Sequence, residues 1–276
     1  MKKTITLVGA GGKMGNRLTN NLMNSEYAVR YLEVSLAGIE QLEGKGLSVS
    51  KAEDCIPNSD IVIFAVPDVA IAKVAQQYVP MMKSGSMGMC LDPAAPLAGA
   101  LPERDDVAYF ASHPSHPSIF NWESTEEGQR DYFGGILAKQ TIVCSLIQGT
   151  DEDYHVGEAL ARVIYGPVSK AYRIELEHMG ILEPALSETF AACLVVAMKE
   201  AIDSVVEKGV DREAATEFLL GHLNIELAVV FGQLPGGQFS DAALKAIELG
   251  KKSILRDDWK SVFEPDSVAE QIRQIT

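Results

Sequence analysis

The chain is 276 residues long, 47% hydrophobic and 22% charged, enough to bury one large core or two modest ones. Its formal net charge of −14 excludes the broad basic surface that nucleic acid or an anionic membrane requires. An anionic substrate would therefore need a site that is locally positive or carries a metal.

The four cysteines, Cys55, Cys90, Cys144 and Cys193, are widely spaced and form no C-x-x-C pair. They read as buried free thiols rather than a disulfide framework or a thiolate zinc site. The apolar run from Ile5 to Ala10 stops at glycines, too early for a secretory leader, and the longest apolar run, Phe190 to Met198, falls short of a membrane span. These features predict a cytoplasmic protein with no membrane partner.

Thr4 to Val8 is a compact run rich in β-branched residues that leads into Gly9-Ala10-Gly11-Gly12-Lys13-Met14-Gly15, and Met14, Leu18 and Leu22 then recur at helical spacing. Strand, glycine turn and helix make a phosphate cradle: bare backbone lets a pyrophosphate approach, and the helix start offers free N–H groups and partial positive charge. The third glycine is displaced, so the pattern reads G-x-G-x-x-x-G. Tyr27 to Val34 follows as a second strand with Glu33 near its end, where a carboxylate can accept from the adenosine ribose and repel a 2′-phosphate. NAD is therefore preferred over NADP.

Gly46 to Val49 suggests a short third strand, and Asp60 to Val66 a fully buried parallel one ending at Val66-Pro67-Asp68, on the edge where open α/β sheets bind ligands. Pro67 and Asp68 are accordingly cofactor-site candidates. A helix from Val69 to Val79, a strand from Gly88 to Leu91 and a strand from Val107 to Phe110 come next. The last delivers His113 and His116, each followed by a proline that pushes its backbone toward an extended conformation. Residues 118–134 form a loop long enough to be a lid. Gln140 to Leu146 and Val168 to Ile174 read as strands flanking an amphipathic helix from Asp151 to Ile164, capped by Thr150 or Asp151.

Beyond residue 174 the strand pattern ends and helices follow at about 175–208, 211–231, 239–256 and 265–274. The chain thus divides into a dinucleotide-binding domain, 1–174, with a doubly wound, mainly parallel sheet, and an all-α domain, 175–276, for substrate binding and dimerisation. The helix from Leu186 to Val206 is apolar around most of its circumference, which predicts a homodimer that buries it. Pro184 should kink or restart the preceding helix between Gly180 and Glu183, aiming Glu183 into a cleft. His113 and Glu183, with His116 as a third, would give a mixed nitrogen and oxygen ligand set suited to Zn²⁺ or a similar divalent ion. Lys139, close to the loop, is an alternative functional group as a general base. Gly221-His222-Leu-Asn224-Ile-Glu226 places polar groups within an otherwise apolar helix.

The Gly-x-x-Gly-Lys-Met-Gly loop, His113-Pro-x-His-Pro-x-x-Phe-Asn121, Gly180-Ile-Leu-Glu-Pro-x-Leu-Ser-Glu188 and Gly221-His-Leu-Asn-Ile-Glu226 together resemble the D-apionate oxidoisomerase family. That family is similar to 6-phosphogluconate and 3-hydroxyacid dehydrogenases, with a Rossmann domain and a helical C-terminal domain. The resemblance implies NAD-dependent oxidation of D-apionate at the hydroxyl beside the carboxylate, then migration of a hydroxymethyl group to give 3-oxo-isoapionate. A 1,2-shift of this kind needs positive charge at two neighbouring oxygens, which favours a divalent ion at His113 and Glu183. On this basis Gly9, Gly11, Gly12, Lys13, Met14, Gly15 and Glu33 hold NAD. His116 or Lys139 takes the hydroxyl proton, and Asn121 and Asn224 hydrogen-bond the sugar acid. A plain 2- or 3-hydroxyacid dehydrogenase and a non-catalytic NAD-binding regulator remain alternatives.

Overall fold

The computed structural model describes residues 2–275. Strand β1, Thr4–Val8, turns through the glycines into helix α1, Lys13–Met23, and β2, Ala28–Leu32, leads to α2, Leu36–Glu43, capped by the Ser35 hydroxyl, which accepts from the Gly38 N–H. The short α3, Ala52–Cys55, precedes β3, Ile61–Phe64, and α4, Asp68–Tyr78. Next come β4, Met87–Cys90, α5, Ala94–Leu97, β5, Ala108–Pro114, and a one-turn α6, Glu126–Gln129, within the long loop. Strand β6, Gln140–Gln148, is followed by α7, Asp151–Ile164, β7, Val168–Arg173, and α8, Leu176–Gly180. Thr150 and Asp153 form a reciprocal capping box at the start of α7.

The seven strands form one sheet in the order β2-β1-β3-β4-β5-β6-β7. Strands β1 to β5 are parallel, so their carboxyl ends share one rim, and only the β5–β6 pair is antiparallel. This is the doubly wound, mainly parallel architecture that the alternation of strands and helices predicts. One face of the sheet buries Leu18 and Leu22 of α1 with Leu160 and Ile164 of α7, and the other buries Ala75 and Tyr78 of α4 with Met179 of α8. Both faces are covered, which is why β3 and β4 are buried at every position.

The segment from Gly46 to Val49 is not a strand but a single bridge, Val49 to Tyr31, because Gly46 at φ 74 turns the chain just before it. By internal packing the chain divides into Met1–Glu183 with Ala269–Thr276, and Pro184–Val268. The first unit extends past residue 174 because Met179 is a core residue of the sheet.

At Pro184 the helix neither stops nor restarts; it widens into a π-helical stretch, Ile181–Ala192, that absorbs the missing proline N–H, and continues as α9, Cys193–Val206. The second unit also holds α10, Arg212–Val230, and α11, Asp241–Ile254, and α12, Pro265–Ile275, closes the chain. Within a single chain α9 is not buried on all sides: Ile202 is its one buried residue, while Val195 is 64% and Val196 57% exposed. Neither α10 nor α11 buries any residue, so this unit lacks the surface to cover its own apolar helices. Cys193, on α9, is correspondingly exposed, whereas Cys55, Cys90 and Cys144 are the buried free thiols expected. The helical run Leu176–Val206 is also longer than the apolar stretch in the sequence suggests: it has 31 residues and an 18-residue window of mean hydropathy 1.6, long and apolar enough to cross a membrane.

Candidate active site

At the shared rim the glycine turn is built by steric necessity. Gly9 has φ 76, and a Cβ there would lie 2.5 Å from the Ala65 carbonyl oxygen. A Cβ on Gly15 would lie 1.9 Å from the Gly9 carbonyl oxygen, so the displaced third glycine is what lets α1 pack onto the turn. Gly12 caps α1 without any side-chain hydrogen bond, and no acid stands in the first turn, so this helix start suits an anion. A cleft of about 410 Å³ opens beside it, lined by Gly12, Lys13 and Met14, by Pro67 and Asp68, and by Asp92 and His113. Burial holds the Asp68 carboxyl above its ordinary range.

Glu33 lies just beyond β2. Its Oε2 accepts from the Gly11 N–H at 2.9 Å, and its Oε1 from the N–H groups of Val34 and Ser35 at 2.8 and 2.9 Å. Burial tends to raise this carboxyl, but the amides of Ser35, Gly11 and Val34 outweigh it and hold the group below its usual range. The side chain is therefore an ionised strut for the glycine turn, with acceptor capacity left for a ribose hydroxyl.

The ligand atoms of Asp92, His113 and Glu183 lie within 4.8 Å of one another. Register explains the first two: Cys90 pairs with Ala111 on the parallel strands β4 and β5, so two residues further along each strand Asp92 and His113 emerge side by side. Glu183 comes from the start of the π-helical stretch, just after the anchored Met179, with its Oε2 shielded from solvent. The His113 Nδ1 lies 2.9 Å from the Pro114 carbonyl oxygen, which can only accept, so Nδ1 carries the proton and Nε2 the lone pair. Burial, then the neighbouring His116, push this imidazole down to about 4, so it is neutral near pH 7. A lone pair and a carboxylate oxygen thus face each other at 3.8 Å, an arrangement that a shared cation satisfies. One imidazole and two carboxylates suit a divalent ion with open positions.

His116 is not on extended backbone. Its φ of 60 lies in the left-handed region, against the extended conformation that the following proline favours. The imidazole is held there by the Phe133 carbonyl oxygen, 2.9 Å from Nδ1, and by the edge-on Phe133 ring at 5.6 Å. Again Nδ1 carries the proton, leaving Nε2 able to accept one. The two imidazole rings stand 6.3 Å apart.

The other candidates sit differently. Asn121 Nδ2 donates to Glu123 Oε1 at 2.7 Å, and the Lys139 backbone N–H donates to the same oxygen at 2.8 Å. Lys139 is exposed and lines neither this cleft nor the smaller cavity beside His116. Asn224 is exposed on α10 of the helical unit, where His222 donates from Nδ1 to the Phe218 carbonyl and stacks on its ring at 4.1 Å. Sequence reasoning missed Asp92 as a partner of His113. The Asp-Pro step after β4 was visible, but only strand register places it beside the histidine.

Two family profiles match the chain: the NAD binding domain of 6-phosphogluconate dehydrogenase over residues 4–91, and the phosphogluconate dehydrogenase (decarboxylating) C-terminal domain over residues 121–276. A D-apionate oxidoisomerase of Cupriavidus necator is 51% identical over 277 residues, covering 100% of both chains. The chain belongs to the D-apionate oxidoisomerase family. A crystal structure of a semialdehyde dehydrogenase NAD-binding protein from the same species, in complex with calcium and NAD, superposes with a TM-score of 0.98 at 51% identity over the whole of both chains. An NADH-preferring ketol-acid reductoisomerase from an uncultured archaeon shares the fold, with a TM-score of 0.72 and 18% identity over 97% of this chain and 82% of that one. Within the D-apionate oxidoisomerase family, then, this chain pairs a glycine-turn cleft with an Asp-His-Glu cluster on one rim.

Proposed function

We propose that the protein is an NAD-dependent D-apionate oxidoisomerase, an enzyme of sugar-acid catabolism in the cytoplasm. It oxidises the 2-hydroxyl of D-apionate to a ketone and then moves a hydroxymethyl group from C3 to C2, giving 3-oxo-isoapionate, NADH and a proton. The observation that carries this reading is the 51% identity with a D-apionate oxidoisomerase across the full length of both chains.

Bound at the cleft, NAD would supply the hydride acceptor, and a divalent ion the positive charge that a shift between two oxygen-bearing carbons needs. The glycine turn, the α1 start and Glu33 are suited to hold the dinucleotide, with Pro67 and Asp68 along its path. Asp92, His113 and Glu183 are suited to hold the ion, with Zn²⁺ favoured by the imidazole. His116, with Nε2 free and Nδ1 fixed by Phe133, takes the hydroxyl proton; Lys139 is the poorer geometric choice. Asn121 and Asn224 are assigned to hydrogen-bonding the polyol. The exposed apolar faces of α9 and α10 are assigned to a homodimer interface rather than to lipid or a membrane.

The test is to mix purified protein with NAD and D-apionate, follow NADH absorbance and identify the product by NMR. Formation of 3-oxo-isoapionate is expected. A 2-oxo acid with an unrearranged skeleton would reduce the function to a plain dehydrogenase, and no NADH with any aldonate would overturn it.

A further inference from the structure

The substrate carries a negative charge into a protein whose net charge is −14, so some cation must receive it. The cleft offers Lys13 and Arg17, and among the described residues neither forms an ion pair. Lys13 is the first residue of α1, beside the glycine turn, where a dinucleotide phosphate is the natural counter-charge. Arg17 lies one turn further along, and it lines both the cleft and the adjoining cavity of about 260 Å³ that contains His116.

Arg17 is held in place. Its guanidinium carbon lies 4.0 Å from the centroid of the Phe133 ring, the ring whose edge meets His116 and whose carbonyl fixes the His116 tautomer. The ring contact uses no hydrogen-bond acceptor, so the guanidinium N–H fork remains for a bidentate partner. A carboxylate is that partner. In a 2-hydroxy acid the carboxylate is one bond from the carbon bearing the hydroxyl, so the group that takes the hydroxyl proton and the group that binds the carboxylate must be neighbours. Phe133 makes Arg17 and His116 neighbours.

We propose that Arg17, held over the Phe133 ring, binds the carboxylate of the sugar acid and sets the preference for the acid over its uncharged counterparts. This rests on the sugar-acid reading above. The test compares the wild type with Arg17→Met and Arg17→Lys on D-apionate and on its uncharged amide, and measures NAD binding separately by titration. Arg17→Met is expected to lower kcat/KM for the acid by about 100-fold, mostly through KM, with little change for the amide or for NAD affinity. Arg17→Lys should recover part of the loss. Equal losses on acid and amide, or a loss that follows NAD affinity, would overturn the assignment. A wild type inactive on D-apionate would instead overturn the function, and the same acid-versus-amide comparison on whichever hydroxy acid it does oxidise would decide Arg17.

Discussion

His113 Nε2 faces Asp92 Oδ2 across 3.8 Å, with the opposite ring nitrogen tied to the carbonyl of Pro114. A divalent ion between two electron-rich atoms set this close would offset their repulsion. Asp92→Asn is expected to weaken divalent-ion binding by on the order of 100-fold while leaving NAD affinity unchanged. Calorimetric titration of chelator-stripped protein with Zn²⁺, Mn²⁺ and Ca²⁺ checks this. Wild-type protein that takes up no stoichiometric ion would rule the site out.

Glu33 gives a pH signature. Its folded pKa lies below the ordinary 4.5, so its stabilising contribution is fully present above 4.5 and fades as pH falls through the lower folded value. Glu33 is partly exposed and solvent screens its charge, so Glu33→Gln should cost no more than about 1 kcal/mol at pH 7, and the difference from wild type should shrink in acid. Urea unfolding at a series of pH values reads this directly. A gap that stays constant with pH would show that the carboxylate charge is not what braces the turn.

Gly15→Ala places a methyl where the Gly9 carbonyl oxygen now sits, so backbone has to move. A loss of about 2 kcal/mol or more is expected, with a thermal midpoint about 5 °C lower or more, and NAD binding should fail with it. Unchanged NAD affinity in a folded variant would contradict the assigned role of the turn.

His116→Asn separates backbone from chemistry, because asparagine tolerates the left-handed φ of 60 but is no base. The variant should keep wild-type NAD affinity and a thermal midpoint within a few degrees of wild type. Its turnover should drop by about 10² to 10⁴. Retained turnover would transfer the proton-accepting role elsewhere, with Lys139→Met the next variant to make.

Val196→Glu tests the exposed face of α9, where Val196 is 57% exposed in a single chain. Burying that charge in a dimer interface is costly, so analytical ultracentrifugation should show a shift from dimer toward monomer. A monomeric wild type would refute the interface. Partition of the wild type into detergent or vesicles would assign the face to lipid.

Much of the architecture was legible because its determinants are local. The β-branched run before Gly9, the unbroken apolar strand at Ile61 and the capping box at Thr150 each specify their element within a few residues. What escaped depended on register or on distant contacts. Asp92 becomes a neighbour of His113 only through the Cys90–Ala111 pairing, and the left-handed φ of His116 depends on a carbonyl seventeen residues away. The π-helical widening at Pro184 replaced the expected break because the chain found a longer-range bonding pattern that the proline alone does not encode.

The antiparallel return of β6 along β5 has a consequence for how such enzymes diversify. His113 pairs with Val143 and Pro114 with Ile142, and the Ser115 N–H donates to the Thr141 carbonyl at 2.9 Å, so the long loop leaves and re-enters the sheet at neighbouring positions. Its two feet are clamped by the sheet. Insertions, deletions or wholesale transplants between them can reshape what enters the cleft without disturbing a single strand, which makes this loop the natural place to graft new specificities.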